Sequence, residues 1–193
     1  MARTPSQMID LGTEAPNFRL PDVVSGKTIG LDDFPNAKGF MIAFICNHCP
    51  FVQLIRHEFE RYGREYTERG IAEIAINSND IDAHPEDGPD PMRDDARRFG
   101  YTFPYCLDED QSVAKAYQAA CTPDLYLFDA DRRLVYRGQF DAARPGNDVP
   151  VTGKDLRAAT EALLAGQPIP SDQKASLGCN IKWRPGNEPA YFG

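Results

Sequence analysis

The stretch that most constrains the fold is residues 40–62, where an apolar run gives way to an amphipathic pattern across a short polar loop. Phe40 to Ile45 has the length and the β-branched and aromatic content of a buried strand. From residue 51 onward, apolar side chains recur every three or four positions, at Phe51, Ile55, Phe59 and Tyr62. That spacing predicts one buried stripe of a helix. A strand followed at once by a helix indicates an α/β fold.

The loop between strand and helix is Cys46-Asn47-His48-Cys49-Pro50, and its proline indicates where the helix begins. Proline is favoured at the first helical position, where its missing N–H would have no partner anyway. This register makes Cys49 the N-cap, whereas a helix capped by Cys46 would put the proline ring one turn inside. The N-terminus of a helix stabilises thiolate over thiol. We therefore expect Cys49 to be a nucleophile whose sulfur is open to water, the alternative being an unreactive buried cap.

Two neighbours of Cys49 are candidates for supporting roles. Cys46 could resolve an oxidised Cys49, because a three-residue spacing lets the loop close; alternatively it is a small apolar residue at a strand end. His48 could stabilise the Cys49 thiolate or shuttle a proton, or its side chain could point away. Cys46, Cys49 and His48 would supply only half of a paired zinc site, and the remaining cysteines are single and far apart. The sequence predicts no metal, and without a glycine-rich phosphate loop it predicts no other cofactor.

Composition limits the partners and the compartment. The net charge of −8 argues against nucleic acid and anionic membranes. No apolar run approaches the ~18 residues of a membrane span, and the N-terminal residues lack the apolar stretch of a secretory signal. We therefore expect a cytoplasmic protein. In a reducing compartment five cysteines favour redox, metal-binding or buried-thiol roles over structural disulfides.

Hydrophobic periodicity and turn residues predict the remaining elements. We expect a hairpin of 18–20 with 27–31, a strand at 71–76, a helix at 91–99, an extended segment at 101–107, a helix over 111–120 capped by Asp110, strands at 125–128 and 134–140, and a helix ending at Leu164 with a capping box of Thr152 and Asp155. Residues 1–166 would form one domain. Residues 167–193, rich in proline and glycine, would be an irregular tail packed on it.

Several segments resemble the thioredoxin-like superfamily, in particular its peroxiredoxin-like branch related to alkyl hydroperoxide reductase and thiol-specific antioxidant proteins. The segments are LGTEAPNFRLPD, NHCPFV, AINSND, CTPDLYLFDADRRLVYRGQFD and GCNIKW, and together they span nearly the whole chain. The resemblance implies a thioredoxin fold with a central mixed sheet flanked by helices, an N-terminal β-hairpin extension and the irregular tail.

The resemblance also assigns roles to residues. Cys49 matches the first cysteine of the thioredoxin Cys-x-x-Cys motif, whose second position is Val52 here. Cys49-Pro50 resembles the peroxidatic cysteine and its proline, but the threonine and arginine of the peroxiredoxin site are replaced by Cys46 and Pro123. These departures favour disulfide exchange over peroxide reduction.

The same resemblance bears on the three remaining cysteines. Thr122-Pro123 resembles the cis-proline loop of thioredoxins, which packs against the active-site cysteine. Cys121 would then approach Cys49, or it packs in the core. Cys179 in the tail would reach the site if the tail folds back, whereas Cys106 lies in an apolar stretch and is predicted to be inert.

The sequence thus predicts a thiol–disulfide oxidoreductase in which Cys49 attacks and Cys46 or Cys121 resolves, with Cys179 as a further candidate. Asn47, His48, Pro50, Thr122 and Pro123 would support the site. One alternative is a hydroperoxide reductase using the same Cys49, and another is a non-catalytic redox-sensing or binding module. The expected partners are protein or small-molecule disulfides or hydroperoxides and a thiol reductant, such as a thioredoxin or a low-molecular-weight thiol. The protein would act as a monomer or homodimer.

Overall fold

A five-stranded sheet runs through the middle of the protein, and the computed structural model describes residues 3–192 around it. The strands are β1 (Thr4–Pro5), β2 (Leu20–Pro21), β3 (Thr28–Ile29), β4 (Gly39–Phe44), β5 (Ile71–Asn77), β6 (Tyr105–Leu107), β7 (Cys121–Thr122), β8 (Asp124–Asp129), β9 (Leu134–Arg137) and β10 (Leu177–Asn180). The helices are α1 (Pro50–Thr67), α2 (Pro89–Phe99), α3 (Ser112–Ala116) and α4 (Lys154–Leu164), with 3-10 turns at Leu31–Asp33 and Pro85–Asp87.

The central sheet has the order β6-β5-β4-β8-β9. Strands β4, β5 and β6 are parallel, whereas β8 runs antiparallel to both β4 and β9. The register pairs Phe44 with Asp124, so the end of β4 lies beside the start of β8. The loop that follows β4 and the loop that precedes β8 therefore meet at one edge of the sheet. This is the predicted mixed α/β architecture, and it brings the two cysteine-bearing loops together.

Strand β4 is buried on both faces, as its continuous apolar run predicts. Successive side chains of a strand point to opposite faces, so β4 contributes to two cores. One core contains Met41, Ala43, Val52, Ile55, Phe59 and Tyr62. The other contains Phe40, Ile42, Phe44, Tyr117, Tyr126 and Phe128. With helices and loops over both faces, the cysteine loop at the end of β4 stands on a fixed base.

Most of the predicted elements are present, and two details are wrong. Helix α3 is shorter than predicted and its N-cap is Gln111 rather than Asp110, because the backbone takes left-handed conformations at both Gln111 and Gln118. Helix α4 begins after Gly153 without the predicted capping box. There the carboxylate of Asp141 accepts the N–H groups of residues 152 and 153, and the predicted Asp155 partner instead accepts a hydrogen bond from Gln139.

The tail is not irregular throughout, which corrects the prediction for residues 167–193. Strand β10 pairs antiparallel with β1 on one side and with β7 on the other. In the second pairing Cys179 lies opposite Thr122. The tail is thus joined by backbone hydrogen bonds to the loop that precedes β8. No helix within residues 3–192 is both long and apolar enough to cross a membrane.

Candidate active site

Cys49 is the N-cap of α1, as Pro50 predicts. The Cys49 backbone is extended (φ −69°, ψ 120°), and Pro50 occupies the first helical turn. The carbonyl of Cys49 accepts the N–H of Gln53 at 2.9 Å, which closes that turn. The sulfur therefore lies at the positive end of an 18-residue helix.

Thr122 contacts two of the cysteine sulfurs. The peptide bond between Thr122 and Pro123 is cis, as the resemblance implies. In its thiol form Cys49 donates to the carbonyl oxygen of Thr122 at 3.0 Å. The Thr122 hydroxyl lies 3.4 Å from Sγ of Cys46. The cis-proline loop thus packs directly against the cysteine loop.

A third thiol comes from the tail, since β10 places Cys179 opposite Thr122. Hydrogen bonds from Cys179 first, and from Cys46 second, hold the pKa of Cys49 well below its ordinary value. The same hydrogen bonds, followed by burial, raise the pKa of Cys46 and of Cys179. A lowered pKa for Cys49 and raised pKa values for Cys46 and Cys179 are what is expected when one thiolate accepts hydrogen bonds from two thiols. We therefore expect Cys49 to be the thiolate at neutral pH, with Cys46 and Cys179 as its donors.

The expectation that the sulfur of Cys49 is open to water is wrong for this conformation. The Cys49 residue is 0% exposed, compared with 1% for Cys46 and 5% for Cys179. Strand β10 lies against α1 and covers the helix tip. A tail that folds back over the site was one of the possibilities considered for Cys179, but a strand there was not predicted, because the tail lacks a strand-like apolar alternation. A substrate must therefore reach Cys49 past the tail or through a local opening.

His48 does not serve the thiolate in the way predicted. Its Nδ1 lies 2.6 Å from Oδ2 of Asp87, and its ring stacks on that of His84 with centroids 5.1 Å apart. The hydrogen bond to Asp87 raises the pKa of His48. The imidazole anchors the loop, while the hydrogen-bond partners of the Cys49 sulfur are Cys46, Cys179 and Thr122.

Asp87 is the main residue of the site that the sequence analysis missed. It is fully buried, and its Oδ1 accepts the backbone N–H groups of Asn47 at 2.8 Å and His48 at 3.3 Å. Asn79 donates to its Oδ2 at 2.8 Å. Burial acts to raise the pKa of Asp87, but hydrogen bonds from His48 and Asn79 outweigh it and lower that pKa. Asp87 is thus a carboxylate that fixes the backbone of the cysteine loop.

Asn47 completes the loop anchor from the other side. Its Oδ1 accepts the hydroxyl of Tyr105 at 3.0 Å, and its side-chain amide donates to the carbonyl of Glu86 at 2.9 Å. Its own carbonyl accepts Gln53 and Arg56 from α1. The density of Asn and Asp in residues 77–91 could have indicated Asp87 and Asn79, but nothing in the sequence indicates these partners of Asn47.

Cys121, expected either to approach Cys49 or to pack in the core, is fully buried. Neighbouring residues of a strand point to opposite faces, and Thr122 faces Cys46 and Cys49. The Cys121 sulfur is accordingly directed elsewhere, 3.6 Å from the carbonyl oxygen of Pro123. Burial raises the pKa of Cys121, as it also does, second to their hydrogen bonds with Cys49, for Cys46 and Cys179.

Within residues 3–192, two groups of side chains lie close enough to share a metal ion, Cys46 with His48 and Asp87, and His48 with His84 and Glu86. In the first group His48 already forms a short hydrogen bond with Asp87. In the second, the two imidazole planes are 11° apart and stacked, so their in-plane lone pairs do not converge on one ion. The absence of a metal stays a prediction from the sequence.

Comparison with known proteins agrees with this geometry. The sequence model of the AhpC/TSA family matches residues 11–137. The thiol-disulfide oxidoreductase ResA of Bacillus thuringiensis subsp. konkukian (strain 97-27) is 27% identical over 133 residues, which is 68% of this chain and 71% of that protein.

Solved structures show the same fold. An uncharacterized conserved protein from Geobacillus kaustophilus is 50% identical, with a TM-score of 0.94 over 96% of this chain and 98% of that one. The thioredoxin domain of a thiol-disulfide oxidoreductase from Bacteroides vulgatus has a TM-score of 0.59 at 14% identity, over 78% of this chain and 97% of that one. The latter likeness shows the fold alone, and that fold is the predicted thioredoxin fold.

Proposed function

The chain belongs to the AhpC/TSA family, and on that premise we propose that it is a thiol–disulfide oxidoreductase whose nucleophile is Cys49. The observation that carries the proposal is the position of Cys49 at the N-cap of α1, with two thiols donating to it. A lowered pKa supplies the thiolate that disulfide exchange requires at neutral pH. The name of the ResA relative supports this chemistry.

The reaction takes place in two exchanges. The Cys49 thiolate attacks one sulfur of a substrate disulfide, forms a mixed disulfide and expels the other sulfur as a thiolate. A second thiol of the chain then attacks the Cys49 sulfur, forms an intramolecular disulfide and releases the remaining substrate thiol. Of the two resolving residues predicted from the sequence, Cys46 shares Thr122 with Cys49, whereas Cys121 is directed away.

The proposed partners follow from the chemistry of the site. The substrates are protein or small-molecule disulfides, and a thiol reductant such as a thioredoxin or a low-molecular-weight thiol returns the cysteines to thiols. The proposed compartment is a reducing one such as the cytoplasm, where five cysteines favour redox, metal-binding or buried-thiol roles over structural disulfides. The net charge of −8 supports no role for nucleic acid or anionic membranes. The protein is proposed to act as a monomer or homodimer.

The test compares reduction of insulin disulfides with stopped-flow consumption of hydrogen peroxide. We expect the wild-type protein to catalyse insulin reduction, Cys49→Ser to lose that activity, and Cys106→Ser to keep it, because Cys106 is buried in β6 away from the site. Insulin reduction by Cys49→Ser at the wild-type rate would overturn the proposal. Peroxide turnover faster than disulfide exchange would assign a peroxidase using the same cysteine. Neither activity would assign a redox-sensing or binding module.

A further inference from the structure

We propose that Cys179 is the thiol that resolves Cys49, and that an external reductant regenerates the site by attacking the sulfur of Cys179. This inference rests on the proposed function and adds to it the resolving residue and the point at which the reductant acts. It concerns the tail strap, defined here as residues 176–182, which contains β10.

The pairing of β10 brings Cys179 to the active site. Cys179 lies opposite Thr122 in the ladder, and Thr122 is the residue whose carbonyl accepts from Cys49. This register makes the two cysteines neighbours across Thr122, and the opposite pKa shifts of Cys49 and Cys179, each caused first by the other thiol, agree with that placement. No element has to move far for a bond to form between them.

The tail strap is held at both ends, so Cys179 stays in this position. At its start the Ser176 hydroxyl donates to the carbonyl of Pro123 at 2.6 Å. At its end the N–H of Lys182 donates to Oδ1 of Asn79 at 2.8 Å, and Asn79 also binds Asp87. The strap and the cysteine loop are thus parts of one hydrogen-bonded structure.

Access to solvent distinguishes Cys179 from Cys46. A disulfide that turns over must present one sulfur to the reductant, and of these three cysteines Cys179 is the most exposed. Cys46 is buried beneath the loop and lies against the Thr122 hydroxyl. A disulfide between Cys46 and Cys49 would place both sulfurs beneath the tail strap, whereas one between Cys49 and Cys179 places one sulfur on the strap itself, where a local opening of the strap exposes it first.

The direction of attack follows from the leaving group. Exchange is faster when the expelled thiol has the lower pKa, and Cys49 has the lowered pKa of the pair. Attack on Cys179 therefore expels the Cys49 thiolate. Cys179 is the less buried sulfur and Cys49 is the better leaving group, so both properties favour attack of the reductant on Cys179.

The proposed cycle consists of four thiol–disulfide exchange steps. The Cys49 thiolate displaces one thiolate from the substrate disulfide and becomes a mixed disulfide. Cys179 attacks the Cys49 sulfur, gives its proton to the departing substrate thiolate, and the Cys49–Cys179 disulfide forms. A reductant thiolate attacks Cys179 and expels Cys49 as a thiolate. A second reductant thiol attacks the reductant sulfur bound to Cys179, forms the reductant disulfide and leaves the Cys179 thiol.

Trypsin makes the pairing directly measurable. Residues 39–56 form one peptide with Cys46 and Cys49, and residues 175–182 form another with Cys179. After mild oxidation with diamide, we expect these two peptides to be cross-linked in the wild-type protein and in Cys46→Ser. We expect no such cross-link in Cys179→Ser, and an unchanged cross-link in the control Cys106→Ser.

The reductant step has its own readout. Oxidised Cys46→Ser treated with substoichiometric glutathione should carry glutathione on peptide 175–182 and not on peptide 39–56. Glutathione on peptide 39–56 would overturn the assignment of Cys179 as the point of attack.

The remaining outcomes separate this inference from the proposed function. A peptide 39–56 that is 2 Da lighter, with peptide 175–182 unlinked, would show that Cys46 resolves; it would overturn this inference and leave the oxidoreductase standing. Cysteines of peptide 39–56 that stay reduced, in a protein with no insulin reductase activity, would overturn both.

Discussion

Pro50 determines which cysteine caps α1, and this residue-scale inference from the sequence agrees with the structure. The reason is local, because proline geometry restricts one turn of backbone regardless of the rest of the fold. The partners of the loop could not be inferred in this way. Asp87 lies 38 positions beyond Cys49, and nothing near it in sequence indicates that it accepts the loop N–H groups.

The buried carboxylate of Asp87 should be required for the order of the cysteine loop. Asp87→Asn removes the charge that accepts two backbone N–H groups and the His48 ring. We expect unfolding in urea to show a loss of about 2–3 kcal/mol of unfolding free energy, since hydrogen bonds to charged groups contribute roughly 1.5–3 kcal/mol each.

The same variant should change the titration of His48. The pKa of this imidazole is raised chiefly by Asp87, so an NMR titration of Asp87→Asn should show it titrating at lower pH than in the wild type. An unchanged His48 titration together with unchanged stability would show that Asp87 does not hold the loop.

Asp124, the first residue of β8, should make stability depend on pH. Complete burial raises its pKa to about 7, although it accepts the N–H of Ala120. A carboxyl with a raised pKa in the folded state contributes stability that is present below its unfolded pKa of about 3.9 and is lost as pH rises through about 7. The difference between the folded pKa of about 7 and the unfolded pKa of about 3.9 corresponds to about 4 kcal/mol of unfolding free energy.

The measurement is urea unfolding between pH 4 and pH 8 for the wild type and Asp124→Asn. The wild type should lose stability across this range relative to the variant, which has no proton to release. Two parallel stability profiles would contradict this account of Asp124.

At the scale of elements, β10 is the part of the fold that sequence patterning did not reveal. Strands β4 and β5 are long apolar runs, and α1 has a clear helical period, so each is visible in its own residues. Strand β10 is four residues long, and its partners β1 and β7 have two residues each. Pairing between such short and distant segments leaves no periodicity to recognise. The sequence therefore did not determine whether Cys179 reaches the site.

Gly178 is the residue through which the pairing of β10 can be tested. A Cβ at this position would lie 1.9 Å from the carbonyl oxygen of Thr122, a backbone atom that cannot yield without moving the strand. Gly178→Ala should therefore displace β10 from β7. Cys49 would lose both its cover and its hydrogen bond from Cys179.

In Gly178→Ala we expect two changes in the alkylation of Cys49 by iodoacetamide. The plateau rate at high pH should increase because the sulfur is less covered, and the midpoint of the pH profile should move upward because the donor is lost. The control is Gly186→Ala, which introduces a side chain at another glycine of the tail with nothing within 4 Å, where the positive φ adds a backbone strain that Gly178 does not have. A Gly178→Ala profile equal to that of the control would contradict the role of β10 as a cover.

At the scale of the whole molecule, the order of strands and helices in the sequence was sufficient for the fold class. A parallel β4–α1–β5 unit followed by the β8–β9 hairpin is the arrangement that the local patterns predicted. The functional site depends on contacts that are distant in sequence. It is assembled from the loop before α1, the loop before β8 and the tail; the sequence favoured the first two and offered Cys179 of the tail only as a further candidate.

The account depends most on the claim that Cys49 is a thiolate at neutral pH. The direct measurement is the rate of iodoacetamide alkylation of Cys49 in the wild-type protein as a function of pH, with the modified residue identified by fragmentation of peptide 39–56. The account predicts a midpoint well below the ~8.5 of an ordinary cysteine. A midpoint at or above that value would contradict it.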